Sequence, residues 1–240
     1  MVQAKKTEKA ERSDGRKLNE MRKMEAKVGI IKRADGSAMF KIGTTVALAA
    51  VYGPRELFPG FMQNPEKGIL RCNYDMLSFS VTERKRPGPS RRSVEISLVT
   101  KNALGSAINL DQFPNTVVDV FIMIVQADAG TRCAGITAAS MALADAGIPM
   151  RDLVSAVSVG RINGKIVIDL DKEEEDYDGT TDIPCAFMSR NNEITLLQLD
   201  GDISAEELKQ AVELGKEGCK QISEIQKKAL KERYKEIKNE

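Results

Sequence analysis

The chain has 240 residues, enough for one large domain or two small ones with ample core. Hydrophobic residues make up 42% and charged residues 30%, and net charge is only +1, so any basic binding site must be local. There is no histidine, which excludes Ser-His-Asp and Cys-His catalysis, histidine general bases and His-ligated zinc, and leaves carboxylates, arginines, lysines, hydroxyls or a hard metal ion.

Residues 1–12 are polar and lack an apolar signal core, so they read as a mobile tail ahead of a single domain over 13–240. No apolar run approaches membrane-spanning length, and the expectation is a cytoplasmic protein without a membrane partner. Residues 24–52 alternate strand-like runs with turn signals, and Asp35-Gly36 is a hairpin-turn candidate. An irregular loop with three prolines follows at 53–68, then a strand near 69–80. Val94, Leu98, Leu104 and Ile108 recur at helical spacing and predict a helix over 90–109. A strand over 117–127 runs into a second helix opening near Arg132, and strands are expected near 153–162, 165–170, 183–189 and 194–200. The last 35 residues predict a long amphipathic helix, with Ser204 as N-cap and Glu207 completing a capping box. The order is mixed α/β rather than a regular βαβ repeat. The cysteines, Cys72, Cys133, Cys185 and Cys219, form no CxxC pair and read as small buried thiols.

Three stretches carry chemistry. In QADAGTRCAGITAAS (126–140), Gly130, Thr131 and Arg132 sit where a strand meets a helix. The open amides and positive dipole of a helix start suit an anion, and arginine adds a forked charge. The plain alternative is that Thr131 is only an N-cap and Arg132 a solvated side chain. In TERKRPGPSRRSVEIS (82–97), prolines exclude helix before Ser90, a good N-cap. Arg91 and Arg92 then fall in the first turn, where cations sit badly against the dipole unless an anion is held nearby. A basic surface loop including Arg84, Lys85 and Arg86 is the alternative there. In DLDKEEEDYDGTTDIP (169–184), most of the carboxylates read as a solvated loop, but Asp182 precedes an apolar strand and enters the fold. Carboxylates beside arginine can hold Mg²⁺ or supply a general acid. Neither GxGxxG nor a P-loop motif is present, and with eleven Phe and Tyr residues and no Trp a broad base-stacking platform is not expected.

Taken together these segments resemble the RNase PH family: RSDGRK (12–17), SRRSVEIS, QADAGTRCAGITAAS and DYDGTTDIP look like its signatures, in its order, over roughly residues 12–236. ADAGIPMRDLVSAVSVG (144–160) and the acidic EEEDYDG loop look most like the catalytic branch of that family found in archaeal exosomes. The resemblance implies an α/β (α+β) fold: a duplicated, ribosomal-protein-like βαβ unit with mixed sheets and helices packed on them. It implies 3′→5′ phosphorolysis of single-stranded RNA to nucleoside diphosphates, reversible as 3′ tailing, with inorganic phosphate as co-substrate and Mg²⁺ or Mn²⁺ as cofactor. It implies a hexameric ring with a non-catalytic RNase PH-like paralogue, three copies of each, and a cap of RNA-binding subunits. Site residues follow from it one by one: Arg92, Arg132, Thr131 and Gly130 on phosphate; Asp176 as general acid; Asp182 supporting it, either carboxylate holding the metal; Arg91, with Arg84 and Arg86, on RNA. One position departs: where some relatives line the pore neck with an arginine, this chain has Gly60. A stand-alone RNase PH trimming tRNA 3′ ends is the alternative of the same chemistry. A non-catalytic RNA-binding ring subunit is the alternative of another class.

Overall fold

The computed structural model describes residue 12 and residues 14–237, so the proposed tail at 1–12 lies outside the described residues except for Arg12. Arg12 does not belong to a tail: it is buried, and its guanidinium grips Glu174 with bonds of 2.8 and 2.7 Å.

The first half of the chain builds a five-stranded sheet from β1 (Met24–Val28), β2 (Gly36–Ile42), β3 (Thr45–Glu56), β4 (Ile69–Met76) and β5 (Thr116–Gln126), in the order β1-β2-β3-β5-β4. The pairs are antiparallel except β4 with β5, which is parallel and joined by the crossover helix α1 (Arg91–Gly105). The second half builds a four-stranded antiparallel sheet from β6 (Val154–Ile162), β7 (Lys165–Ile168), β8 (Thr181–Met188) and β9 (Glu193–Leu197), in the order β7-β6-β8-β9. A one-turn helix, α3 (Lys172–Glu175), bridges β7 and β8.

Helix α2 (Thr131–Asp145) packs against strands of both sheets and is buried nearly all round, from Thr131 and Cys133 through Leu143. Its alanines and Gly135 let the sheets approach, and a Cβ on Gly135 would come within 3.0 Å of Ile122. The core is continuous from Phe40 and Ile122 in one sheet to Val157 and Phe187 in the other. Helix α4 (Ala205–Ile237) closes the second sheet, and the expected Ser204–Glu207 capping box forms at its start. One buried side chain locks it down: Gln226 donates to the carbonyls of Thr137 and Val154 and accepts from Ser155, so every polar atom of the contact is satisfied. Cys133, Cys185 and Cys219 are buried as expected; Cys72 is half-buried, and burial pushes its thiol up to about 12.

Several local expectations change. Gly36 is not a turn residue but opens β2; a Cβ there would lie 2.3 Å from the backbone of Ala142 and Ala146, so glycine is required by close packing on α2. The tight hairpin turn is Gly43-Thr44, since Ile42 pairs with Thr45. β3 runs on to Glu56, into the segment read as loop, past a register shift between Tyr52 and Arg55. α1 ends at Gly105, and its inward face is Ser93, Ile96, Thr100, Ala103 and Leu104. Of the four residues whose spacing predicts this helix, Leu104 and Ile108 are buried while Val94 and Leu98 are 62% and 57% exposed. Two inward positions are polar, so hydropathy spacing alone marks only part of the buried face.

Candidate functional site

The site is assembled by three loops that end on the same side of α2. Backbone geometry sets the first. β5 leaves the sheet at Gln126, and Ala129 and Gly130 both take left-handed conformations, with φ of 51° and 61°. Gly130, not Thr131, is the N-cap of α2, and no side chain caps that end. Thr131 is therefore the first helical residue, buried, and the plain reading of it as the cap fails. Arg132 follows, half-buried. Its Nη1 is 2.5 Å from Gln198 Oε1, beyond β9, while its Nε is buried without an acceptor. A guanidinium held by one arm, with another N–H unmatched at an uncapped helix start, suits an anion.

The second loop is the basic segment before α1. Ser90 caps α1 through a reciprocal box with Ser93, which places Arg91 and Arg92 in the first turn with no acidic residue there to offset them. Arg84, Arg86, Arg91 and Arg92 are exposed, and Lys85 pairs with Asp75. Arg92 lies within electrostatic range of Tyr74, Glu175 and Asp182. Tyr74 packs beneath the junction: burial raises its phenol, and Thr131, Arg92 and Arg132 act against that rise.

The third loop is the acidic stretch. Contrary to its reading as a mostly solvated loop, two of its carboxylates are buried. Glu174 holds Arg12, and Asp169 holds Arg22 through bonds of 2.7 and 3.0 Å. Asp176 is the C-cap of α3; its side chain is 63% exposed and paired with Lys172. Asp182 lies inside β8, not in the loop before it, bridged backbone to backbone with Asp200 and accepting from the Ser158 hydroxyl. Burial raises the Asp182 carboxyl above the usual carboxylate range; Ser158, Arg132 and Arg92 pull it back without cancelling the rise. Glu175 is raised too, first by burial and then by the charge of Asp182.

The structure thus brings Arg92, Arg132, Thr131, Gly130 and Asp182 to one place, with Asp176 at its solvent edge. Glu175, Gln198 and Asp200 join them without having been singled out from sequence. Glu175 stands next to Asp176 in the acidic motif, a position that gave some signal; Gln198 and Asp200 arrive only through pairing of the second sheet. Gly60 lies in a separate 3₁₀ turn, Gly60–Met62, flanked by the exposed rings of Phe58 and Phe61. Among the described residues, no group of three or more His, Cys, Asp or Glu is arranged to hold a metal. Asp182 and Glu175 are both raised first by burial, Glu175 also by the charge of Asp182, and together they would fit a hard cation that takes its remaining ligands from water.

A family model described as the 3′ exoribonuclease family, domain 1, matches residues 20–149, and its domain 2 matches residues 152–218. The boundary falls between α2 and β6, where one sheet gives way to the other. The chain is 55% identical over 233 residues to the exosome complex component Rrp41 of Thermococcus gammatolerans, covering 97% of this chain and 93% of that protein. It is 54% identical over 223 residues to the protein of the same name from Methanopyrus kandleri, covering 93% of each. Among solved structures, rice (Oryza sativa) Rrp46 matches with a TM-score of 0.83 and 28% identity over 92% of this chain and 100% of that one. The Archaeoglobus fulgidus exosome with RNA bound to the active site matches with a TM-score of 0.76 and 23% identity, over 90% of this chain and 92% of that one, a likeness of fold. Two matched family domains spanning most of the chain, and relatives identical at more than half of their positions, place this chain in the 3′ exoribonuclease (RNase PH) family.

Proposed function

We propose that this chain is the catalytic RNase PH-like subunit of an archaeal exosome, a 3′→5′ exoribonuclease that uses inorganic phosphate to release nucleoside diphosphates from single-stranded RNA. The observation that carries the reading is Arg132: one arm held by Gln198, its Nε buried without an acceptor, at an uncapped helix start, with Arg92 also within electrostatic range of Asp182. That arrangement supplies fixed donors for a tetrahedral anion.

In this reading phosphate sits between Arg92, Arg132, the Thr131 hydroxyl and the α2 amides, with Gly130 letting it approach the backbone. A phosphate oxygen attacks the last phosphodiester phosphorus. The bond to the penultimate 3′ oxygen breaks, that oxygen takes a proton, and the terminal nucleotide leaves as its diphosphate. Asp176, exposed at the solvent edge of the site, supplies the proton as general acid, and Asp182 supports it. Arg91, with Arg84 and Arg86, lies along the exposed approach and holds RNA phosphates. Asp182 with Asp176 or Glu175 would hold Mg²⁺ or Mn²⁺, which supplies charge neutralisation at the phosphates. No histidine is needed, because the nucleophile arrives as an anion.

The partners in this reading are single-stranded RNA, a non-catalytic RNase PH-like paralogue in a hexameric ring with three copies of each, and RNA-binding cap subunits; the compartment is the cytoplasm. The exposed Val94, Leu98, Phe58 and Phe61 leave apolar surface for such neighbours. The test is decay of a 5′-labelled single-stranded RNA with Mg²⁺, with and without phosphate, for the chain alone and with its paralogue. The expected result is a ladder shortening from the 3′ end only with phosphate, strongest with the paralogue. Decay of equal rate without phosphate would overturn the reading.

A further inference from the structure

We propose that Arg22 is a positioning residue for this reaction, tying the phosphate-holding junction at 128–132 to the acidic turn at 169–176 so that both keep one register. The inference rests on the phosphorolytic reading above.

Arg22 is buried, and nothing in the site as described uses it. It nonetheless touches both halves of the site. Its backbone N–H and Nε both donate to Asp169 Oδ2, at 2.8 and 3.0 Å, and Nη2 donates to Asp169 Oδ1 at 2.7 Å. The remaining arm, Nη1, donates to the Asp128 carbonyl at 2.6 Å and lies 3.3 Å from its carboxylate. Asp128 also accepts from the Thr44 hydroxyl and, at 3.2 Å, from the backbone N–H of Lys172, the first residue of α3. One guanidinium and one carboxylate thus link the end of β5 to the start of α3. Asp169 opens the turn that carries Asp176, and Asp128 stands four residues before Arg132.

Backbone strain shows why a link is needed. Ala129 and Asp169 both have φ above 50°, a conformation that costs an ordinary residue energy and persists only where its surroundings enforce it. Thr45 braces the same loop: its hydroxyl accepts from the Asp128 N–H at 2.9 Å and lies 2.8 Å from the carbonyls of Asp128 and Ala129. The guanidinium also abuts the helix start, since a Cβ on Gly130 would stand 3.6 Å from Arg22 Nη2. Burial opposes the charges, but Asp169 and Asp128 hold Arg22 above its ordinary value, and Thr44, Lys172 and Arg22 hold Asp128 below its own. Lysine cannot reproduce this, because its ammonium cannot present a planar fork to two residues at once.

The test compares wild type with Arg22→Lys and with the milder Asp128→Asn in the assembled ring. Measured quantities are the phosphate KM, kcat, RNA dissociation constant and thermal midpoint with and without phosphate. Arg22→Lys is expected to raise the phosphate KM and lower kcat, each by about tenfold or more, with RNA affinity within about twofold. The phosphate-induced rise in midpoint should shrink in parallel. Asp128→Asn keeps the carbonyl contact and should show the same split at smaller size, which covers the case in which Arg22→Lys does not assemble. Variants whose phosphate KM and phosphate-induced midpoint rise match wild type would overturn the inference. A wild-type ring without phosphate dependence would instead overturn the phosphorolytic reading itself.

Discussion

The two helix starts that bring arginine to the site are built in opposite ways. α1 begins with Ser90, whose hydroxyl accepts from the Ser93 amide while Ser93 accepts from the Ser90 amide, so two of the donors at that end are already satisfied. α2 begins with Gly130 in a left-handed conformation and no side-chain cap. At α1 the protein satisfies the helix and leaves Arg91 and Arg92 exposed in its first turn. At α2 it leaves the helix end open and half-buries Arg132 beside it. Two segments with the same composition signal are therefore built differently: one carries exposed arginines on a capped helix start, the other a half-buried arginine at an open one.

The strongest way to break that contrast is charge reversal. Arg132→Glu places a carboxylate at the cradle, and phosphate-dependent turnover should fall by about a thousandfold or more. Arg92→Glu, on an exposed side chain, should cost clearly less. Both are read from phosphorolysis rates at saturating RNA. Equal losses would mean that the two starts are equivalent and that burial of Arg132 counts for nothing.

A medium effect comes from the cap. Ser90→Ala removes the acceptor for Ser93 and should destabilise the fold by about 1 kcal/mol, measured by denaturant midpoint, with phosphate affinity nearly unchanged. If phosphate affinity fell with it, the cap would be setting the position of Arg92 on the phosphate as well as holding the helix.

How far the sequence shows this depends on the range of each interaction. The junction at 126–140 is legible because everything it needs is consecutive: an apolar strand, a glycine able to take positive φ, a hydroxyl, an arginine and a helix. The Ser90 and Ser204 caps are legible for the same reason. Gly36 misleads because a glycine beside an aspartate is a turn signal, while its true demand comes from α2, more than a hundred residues away. The spacing of Val94, Leu98, Leu104 and Ile108 shows the helix but not its whole inner face, because α1 also packs through small polar residues, with Ser97 accepting from the Tyr74 amide at 2.9 Å. The buried pairs Arg12–Glu174 and Arg22–Asp169 look like surface charge until the fold brings partners about 150 positions apart together. Gln198 has no sequence signal at all; only the pairing of β8 with β9 carries it to Arg132.

The finest test of the two starts reads their fields at the carboxyl between them. Asp182 is raised by burial and pulled down by Ser158, by Arg132 and, less strongly, by Arg92. Removing a nearby cation takes away support for the carboxylate, so Arg132→Gln should raise the Asp182 titration further than Arg92→Gln does. Carboxyl ¹³C shifts followed against pH in wild type and both variants give the order directly. The stability linkage has a fixed sign. A carboxyl whose folded value is raised contributes stability at pH below its ordinary value, and that contribution is lost as pH rises through the folded value. Arg132→Gln should therefore lose more stability than Arg92→Gln when pH rises from the acidic range to neutrality. Identical titrations in the two variants would place Asp182 equally in both fields. The difference between the starts would then lie in their capping alone, and not in where the charge is held.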